Sequence, residues 1–152
     1  MIHDELRSDG LYFLQAGIAL VWIAAAVGKA RTPAAERRAS VGKLVPGPAW
    51  MVAAIASALP AAELMLGLVL IVRWETPVVA AVSAVLFLAF AFLVGRATVR
   101  NSLDGAGCGC FGRVSQRPSK DAMIGPPIVA RNFVLANLSI LVATAHRCAC
   151  SR

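Results

Sequence analysis

Charge is scarce in this chain. Charged residues fill only 15% of its 152 positions, eight of them acids, while hydrophobic residues fill 59%. A soluble domain of this size cannot hide so much apolar side chain, which excludes the ordinary water-soluble globular class. Basic and aromatic residues do not interleave as they do on a nucleic-acid-binding surface, so the net charge of +7 does not point to nucleic acid. In an apolar chain, Lys and Arg instead gather in loops and at lipid headgroups. The start also lacks the basic opening and short apolar core of a secretory signal. Residues 1–10 carry His3, Asp4, Glu5, Arg7 and Asp9, and the apolar run after them is long enough to span. The first helix is therefore expected to be retained. There is no internal repeat and no low-complexity segment, and cysteine is missing from every apolar run.

What the chain does have is four apolar runs, at about residues 11–28, 49–72, 78–95 and 123–145. Each approaches the roughly 20 residues that cross a ~30 Å hydrocarbon core. Helices are the only open-ended elements that satisfy every backbone group in lipid. The expected fold is therefore all-α: an integral membrane antiparallel four-helix bundle, one domain over residues 1–152, with the lipid bilayer as its first partner. Gly17, Ala24, Ala25 and Ala26 in the first run permit close helix approach. Lys29, Arg31 and Pro33 end that run. The loop over residues 29–48 sets five cations against the single acid Glu36. Residues 34–45 of this loop read either as a short interfacial amphipathic helix or as plain solvated basic chain. Pro126 and Pro127 fall in the first turn of the fourth run, where proline is tolerated. Arg131 and Asn132 follow near the interface, and Asn137 and Ser139 lie deeper, placed to hydrogen-bond across helices.

One acid stands inside an apolar run. Glu63 follows Pro60, a helix-kinking residue, and lies ten residues before Arg73, about 15 Å from that end of the helix. An ionisable residue at such depth is costly and faces a partner or a cavity. It reads as a proton-relay group, as a polar anchor for a cofactor, or as a hydrogen-bonded carboxyl that holds the bundle together.

The remaining chemistry lies in the cysteines. All four fall into two Cys-X-Cys pairs, Cys108-Gly109-Cys110 and Cys148-Ala149-Cys150. Packing cysteines would scatter through the apolar runs. Two cysteines one residue apart close a disulfide only through a small strained ring, and strain makes the bond labile. Glycines at 105, 107, 109 and 112 give the backbone the freedom such a ring needs, and Arg113 favours the thiolate. Three readings stay open: a redox pair, a soft-metal site for Cu(I), Hg(II) or Zn(II), and a structural disulfide or unpaired thiols.

Several strings are shared with a known family. They are Gly28-Lys29 at the end of the first run, Leu59-Pro60-Ala61-Ala62-Glu63-Leu64-Met65-Leu66-Gly67 in the second, Cys108-Gly109-Cys110-Phe111-Gly112 after the third, and Ala130-Arg131-Asn132 opening the fourth. With these the chain resembles the methylamine-utilisation MauE family, within the wider DoxX-like group of small four-helix membrane proteins. The resemblance implies a membrane partner in thiol–disulfide redox chemistry, working with a thioredoxin-like protein and drawing on a quinone as quinone-linked disulfide generators do. It implies Cys108 and Cys110 as the redox pair, with Glu63, Arg131 and Asn132 as supporting polar groups at a cofactor. Cys148 and Cys150 are not part of the family pattern; by their spacing alone they join the candidate redox or metal residues. The alternative function is binding or transport of Hg(II) or Cu(I) through the two cysteine pairs.

The expected location is the plasma (inner) membrane. Two arguments on orientation disagree. The first and third loops hold five Lys and Arg each, whereas the two tails and the short second connection share four. The excess of positive charge places loops one and three, and with them Cys108 and Cys110, on the cytoplasmic side. A thiol-oxidase role instead puts that pair on the outer face, where disulfides persist.

Overall fold

The computed structural model describes residues 2–72, 76–99 and 125–150, with side chains at 9–72, 77–99 and 127–146. These residues form five helices: α1 (Ile2–Ala30), α2 (Ala34–Leu44), α3 (Ala49–Val72), α4 (Thr76–Val99) and α5 (Gly125–Cys150). Four carry segments long and apolar enough to cross a membrane: Asp9–Ala30, Ala49–Val72, Pro77–Val99 and Pro127–His146. No strand occurs among the described residues. The protein is a multi-pass helical membrane protein.

The four long helices are apolar on every side, as a helix set in lipid requires. Large side chains such as Phe13, Leu20, Phe92 and Leu141 point outward, while much of the buried interior is alanine. The buried positions on α4 are Ala80, Ser83, Ala84, Phe87, Ala91, Val94 and Ala97, and on α5 they include Asn132, Ala136, Ser139 and Ala143. Both sets follow steps of three and four residues, the spacing of one helix face. Small residues on these faces let backbones approach, which matters because lipid leaves little hydrophobic force to press helices together. One close approach is at Gly67 of α3. A Cβ built there would lie 2.7 Å from Ile23 Cγ1 and 3.0 Å from the Ala19 carbonyl oxygen.

Contacts between helices fix the topology. Gln15 donates to the Leu70 carbonyl, Gly67 meets Ala19 and Ile23, and Lys29 meets Glu63, so α1 and α3 run antiparallel. Gly95, late in α4, lies against Val129, early in α5, so these two also run antiparallel. The bundle is thus two closely packed helix pairs, α1 with α3 and α4 with α5, with fewer contacts across the seam between the pairs. The C-termini of α1 and α4 and the N-termini of α3 and α5 share one end of the bundle, the Lys29 end.

α2 lies at this end, against α3 and α4, with no residue fully buried. It realises the helical reading of residues 34–45. Arg37 on α2 donates through Nη1 to the carbonyls of Lys29 (3.1 Å) and Thr32 (2.7 Å), and Thr32 Oγ1 donates to the Gly28 carbonyl at 3.0 Å. These bonds satisfy carbonyls left open at the C-terminus of α1. Two polar residues of α5 behave otherwise than expected. Asn137 donates to the Phe133 carbonyl and Ser139 to the Leu135 carbonyl, both at 2.8 Å on their own helix. A short polar side chain finds the carbonyl four residues back nearer than any neighbouring helix.

Candidate functional site

Three of the buried polar residues, Lys29, Glu63 and Asn132, meet at the seam between the two helix pairs. Lys29 Nζ of α1 donates to both carboxylate oxygens of Glu63 on α3, at 2.6 and 2.8 Å. The side chains of this ion pair are 10% and 2% exposed. The geometry follows from helix direction. Side chains lean toward the N-terminus of their helix. Lys29 sits one residue from the C-terminus of α1, so it leans back into the bundle. Glu63 lies on the antiparallel helix and leans toward the Lys29 end, and the two meet. Glu63 is 14 residues from the start of α3 and nine from its end, about 21 Å and 14 Å along the axis. The pair therefore lies well inside the apolar span.

Beside the pair lies a small, partly open crevice of about 20 Å³, lined by Lys29, Glu63, Arg131 and Asn132 among others. Asn132 is 3% exposed, and the Arg131 guanidinium lies 3.4 Å from the Asn132 side-chain oxygen. Trp22, Phe87 and Phe90 form the apolar wall. Trp22 stacks on Phe87 with ring centroids 4.5 Å apart and planes 21° apart. It also donates through Nε1 to Ser83 Oγ at 3.1 Å, which fixes the indole in place. All four long helices contribute to this lining, so the crevice requires the assembled bundle. Its lining brings aromatic side chains together with an ammonium, a carboxylate, a guanidinium and an amide.

Of the site residues expected from the sequence, Glu63, Arg131 and Asn132 come together here. Arg131 and Asn132 are half-buried and buried respectively, and both line the crevice. Cys108 and Cys110 lie outside the described residues. Cys148 and Cys150 fall in the last turn of α5, and their side chains also lie outside the described residues. α5 has 26 residues, about 39 Å of helix, and its two ends face opposite ends of the bundle. Among the described residues, no group of three or more His, Cys, Asp or Glu is placed to hold a metal ion.

The comparison with known proteins decides the family. A family model described as methylamine utilisation protein MauE matches residues 8–145. The chain belongs to the MauE family. No curated protein and no solved structure matches it. The MauE match covers the first three membrane spans, all but the last residue of the fourth, the crevice residues and the Cys108–Cys110 string.

Lys29 is the site residue that sequence reasoning missed. Standing at the end of an apolar run, it reads as a headgroup-facing cation. The signal that could have found it was the lean of a side chain near the C-terminus of a helix, combined with a lone acid on the next span.

Proposed function

We propose that this MauE-family protein is a membrane thiol–disulfide redox protein of the plasma (inner) membrane. In this reading Cys108 and Cys110 form the redox pair, a thioredoxin-like protein is the thiol partner, and a quinone is the electron acceptor. The observation that carries it is the meeting of Glu63, Arg131 and Asn132 in one membrane-embedded crevice walled by Trp22, Phe87 and Phe90. Family membership over residues 8–145 supports it as well.

The donors around the crevice suit the oxygens of a quinone ring, and the crevice, at about 20 Å³, would have to widen to admit one. Stacked aromatic faces suit a flat ring. The Asn132 amide, the Arg131 guanidinium and the Lys29 ammonium can each donate to a carbonyl oxygen. When bound, a quinone supplies a two-electron, two-proton acceptor. The protein's part is to bind the ring against Trp22, orient its oxygens toward the donors and exclude water. Cys108 and Cys110 lose two S–H bonds and gain one S–S bond, releasing two electrons and two protons. The thioredoxin-like partner then exchanges its dithiol for that disulfide.

Trapping of free thiols tests the reading. After equilibration with reduced and with oxidised short-tailed quinone, Cys108 and Cys110 are expected to be found as thiols and as a disulfide, respectively. An unchanged thiol state under both conditions sinks the redox reading. Uptake of Hg(II) or Cu(I) at one ion per cysteine pair, lost in Cys→Ser variants, would then replace it.

A further inference from the structure

We infer, independently of the redox reading above, that the crevice is a built site for a single water molecule, which joins Glu63 of one helix pair to Asn132 of the other.

Asn132 is 3% exposed and lines the crevice. Its side-chain oxygen accepts from Arg131 at 3.4 Å, and its amide nitrogen has no acceptor among the described residues. A buried amide that gives up its bonds to solvent and finds no replacement costs free energy. Nothing in the hydrocarbon around the bundle can replace them.

Glu63 has the complementary need. An ionised carboxylate offers about four lone-pair positions. Lys29 Nζ fills two of them, at 2.6 and 2.8 Å, and no other donor among the described residues reaches the group. Glu63 is 2% exposed. A buried ion pair repays its desolvation only when further hydrogen bonds satisfy the lone pairs that remain. Glu63 therefore calls for a donor where Asn132 calls for an acceptor, and both side chains line the same space.

Size and charge name the molecule that answers both. The space is about 20 Å³, and a water requires about 10–15 Å³ together with two to four polar partners. Lys29 and Arg131 on the wall repel a cation, and the Glu63 carboxylate repels an anion. A neutral molecule that both accepts and donates is what this lining takes. The water oxygen accepts from Asn132 Nδ2, and one of its O–H groups donates to the Glu63 carboxylate. Trp22 does not compete, because its single donor is committed to Ser83 Oγ at 3.1 Å; with Phe87 and Phe90 it closes the apolar side. Glu63 belongs to α3 and Asn132 to α5, so the water fastens the two helix pairs across the seam. A larger ligand that enters has to displace this water and reproduce its bonds.

The test uses the full-length protein in lipid bilayers, deuterated and back-exchanged in H2O, with water itself as the probe. Solid-state NMR follows magnetisation transfer from water to side-chain amide protons. The Asn132 resonances are those that Asn132→Leu removes. Asn137 is the control on the same helix: it is exposed on the lipid-facing side, and its amide donates to the Phe133 carbonyl at 2.8 Å. Transfer to Asn132 and none to Asn137 is expected. Ala25→Val adds bulk to the crevice wall and is expected to abolish the transfer while the Asn132 resonances remain. Absence of transfer to Asn132 in the wild type overturns the inference. Undiminished transfer in Ala25→Val does so too, since it puts the water elsewhere. The wild-type measurement stands even if Ala25→Val does not assemble. A shift of the Asn132 resonances when chloride is exchanged for nitrate at constant ionic strength assigns the space to an anion and likewise overturns the water. These readouts involve no cysteine and no quinone, so failure of the redox reading leaves them unmoved.

Discussion

Replacing Lys29 with methionine leaves the Glu63 carboxylate in the interior with no ammonium beside it. Methionine fills nearly the same volume, so the change isolates the charge. Glu63 is 2% exposed and stands about 14 Å from the nearer end of its helix, too far for a short side chain to reach water. Breaking a buried pair from this side is expected to cost about 3–5 kcal/mol. The reverse change is milder. In Glu63→Gln the side-chain carbonyl still accepts from Lys29, and Lys29, one residue from the end of α1, can swing its ammonium outward along the helix. About 1–3 kcal/mol is expected there. The double variant Lys29→Met/Glu63→Gln carries neither charge, so it should be more stable than the sum of the singles implies, by a coupling of about 2–3 kcal/mol. Reversible unfolding by SDS in mixed lipid–detergent micelles, run on all four proteins, measures the cycle. Costs that add to within about 0.5 kcal/mol would refute the claim that this is a working buried ion pair.

Three further outcomes follow from the geometry. Gly67→Leu places a branched side chain where even a Cβ lies 2.7 Å from Ile23 and 3.0 Å from the Ala19 backbone; it should cost about 1–3 kcal/mol or more and lower the thermal midpoint in detergent. Ser83→Ala leaves the buried Trp22 Nε1 without its 3.1 Å acceptor, which should cost about 1–3 kcal/mol and shift the Trp22 emission maximum, whereas an unshifted spectrum and melt would show the bond to be idle. An impermeant thiol reagent applied to sealed vesicles should label Cys108 and Cys110 from one side and Cys148 and Cys150 from the other. Labelling of all four from the same side would contradict a fully spanning α5.

The spans were legible because their apolar runs are nearly uninterrupted, and lipid admits one solution for such runs. α2 was half legible: its residues have helical character, but its docking depends on Arg37 reaching carbonyls of another element, which no local pattern records. Glu63 stood out as one acid in a long apolar stretch. Its partner did not, because a lysine at the end of a span normally faces headgroups. Only the antiparallel pairing of α1 and α3 shows that the side chain leans inward. Arg131 and Asn132 were singled out through family resemblance; their burial depends on the face of α5 that α4 covers. Asn137 and Ser139 looked like cross-helix donors, but such residues choose between a partner helix and their own backbone, and the choice turns on geometry the sequence does not carry.

The seam has a consequence for assembly. Each helix pair is closely packed within itself, and the pairs are joined through residues 73–75 alone between α3 and α4. The protein is therefore divisible: a polypeptide ending near residue 73 and another starting near residue 75, made together in one membrane, should find each other and restore the bundle. Neither fragment owns the crevice, since Glu63 and Lys29 arrive with the first, and Phe87, Arg131 and Asn132 with the second. Recovery of Trp22–Phe87 contact on co-expression, and its absence in either fragment alone, would mark the candidate site as a product of complementation between two half-proteins.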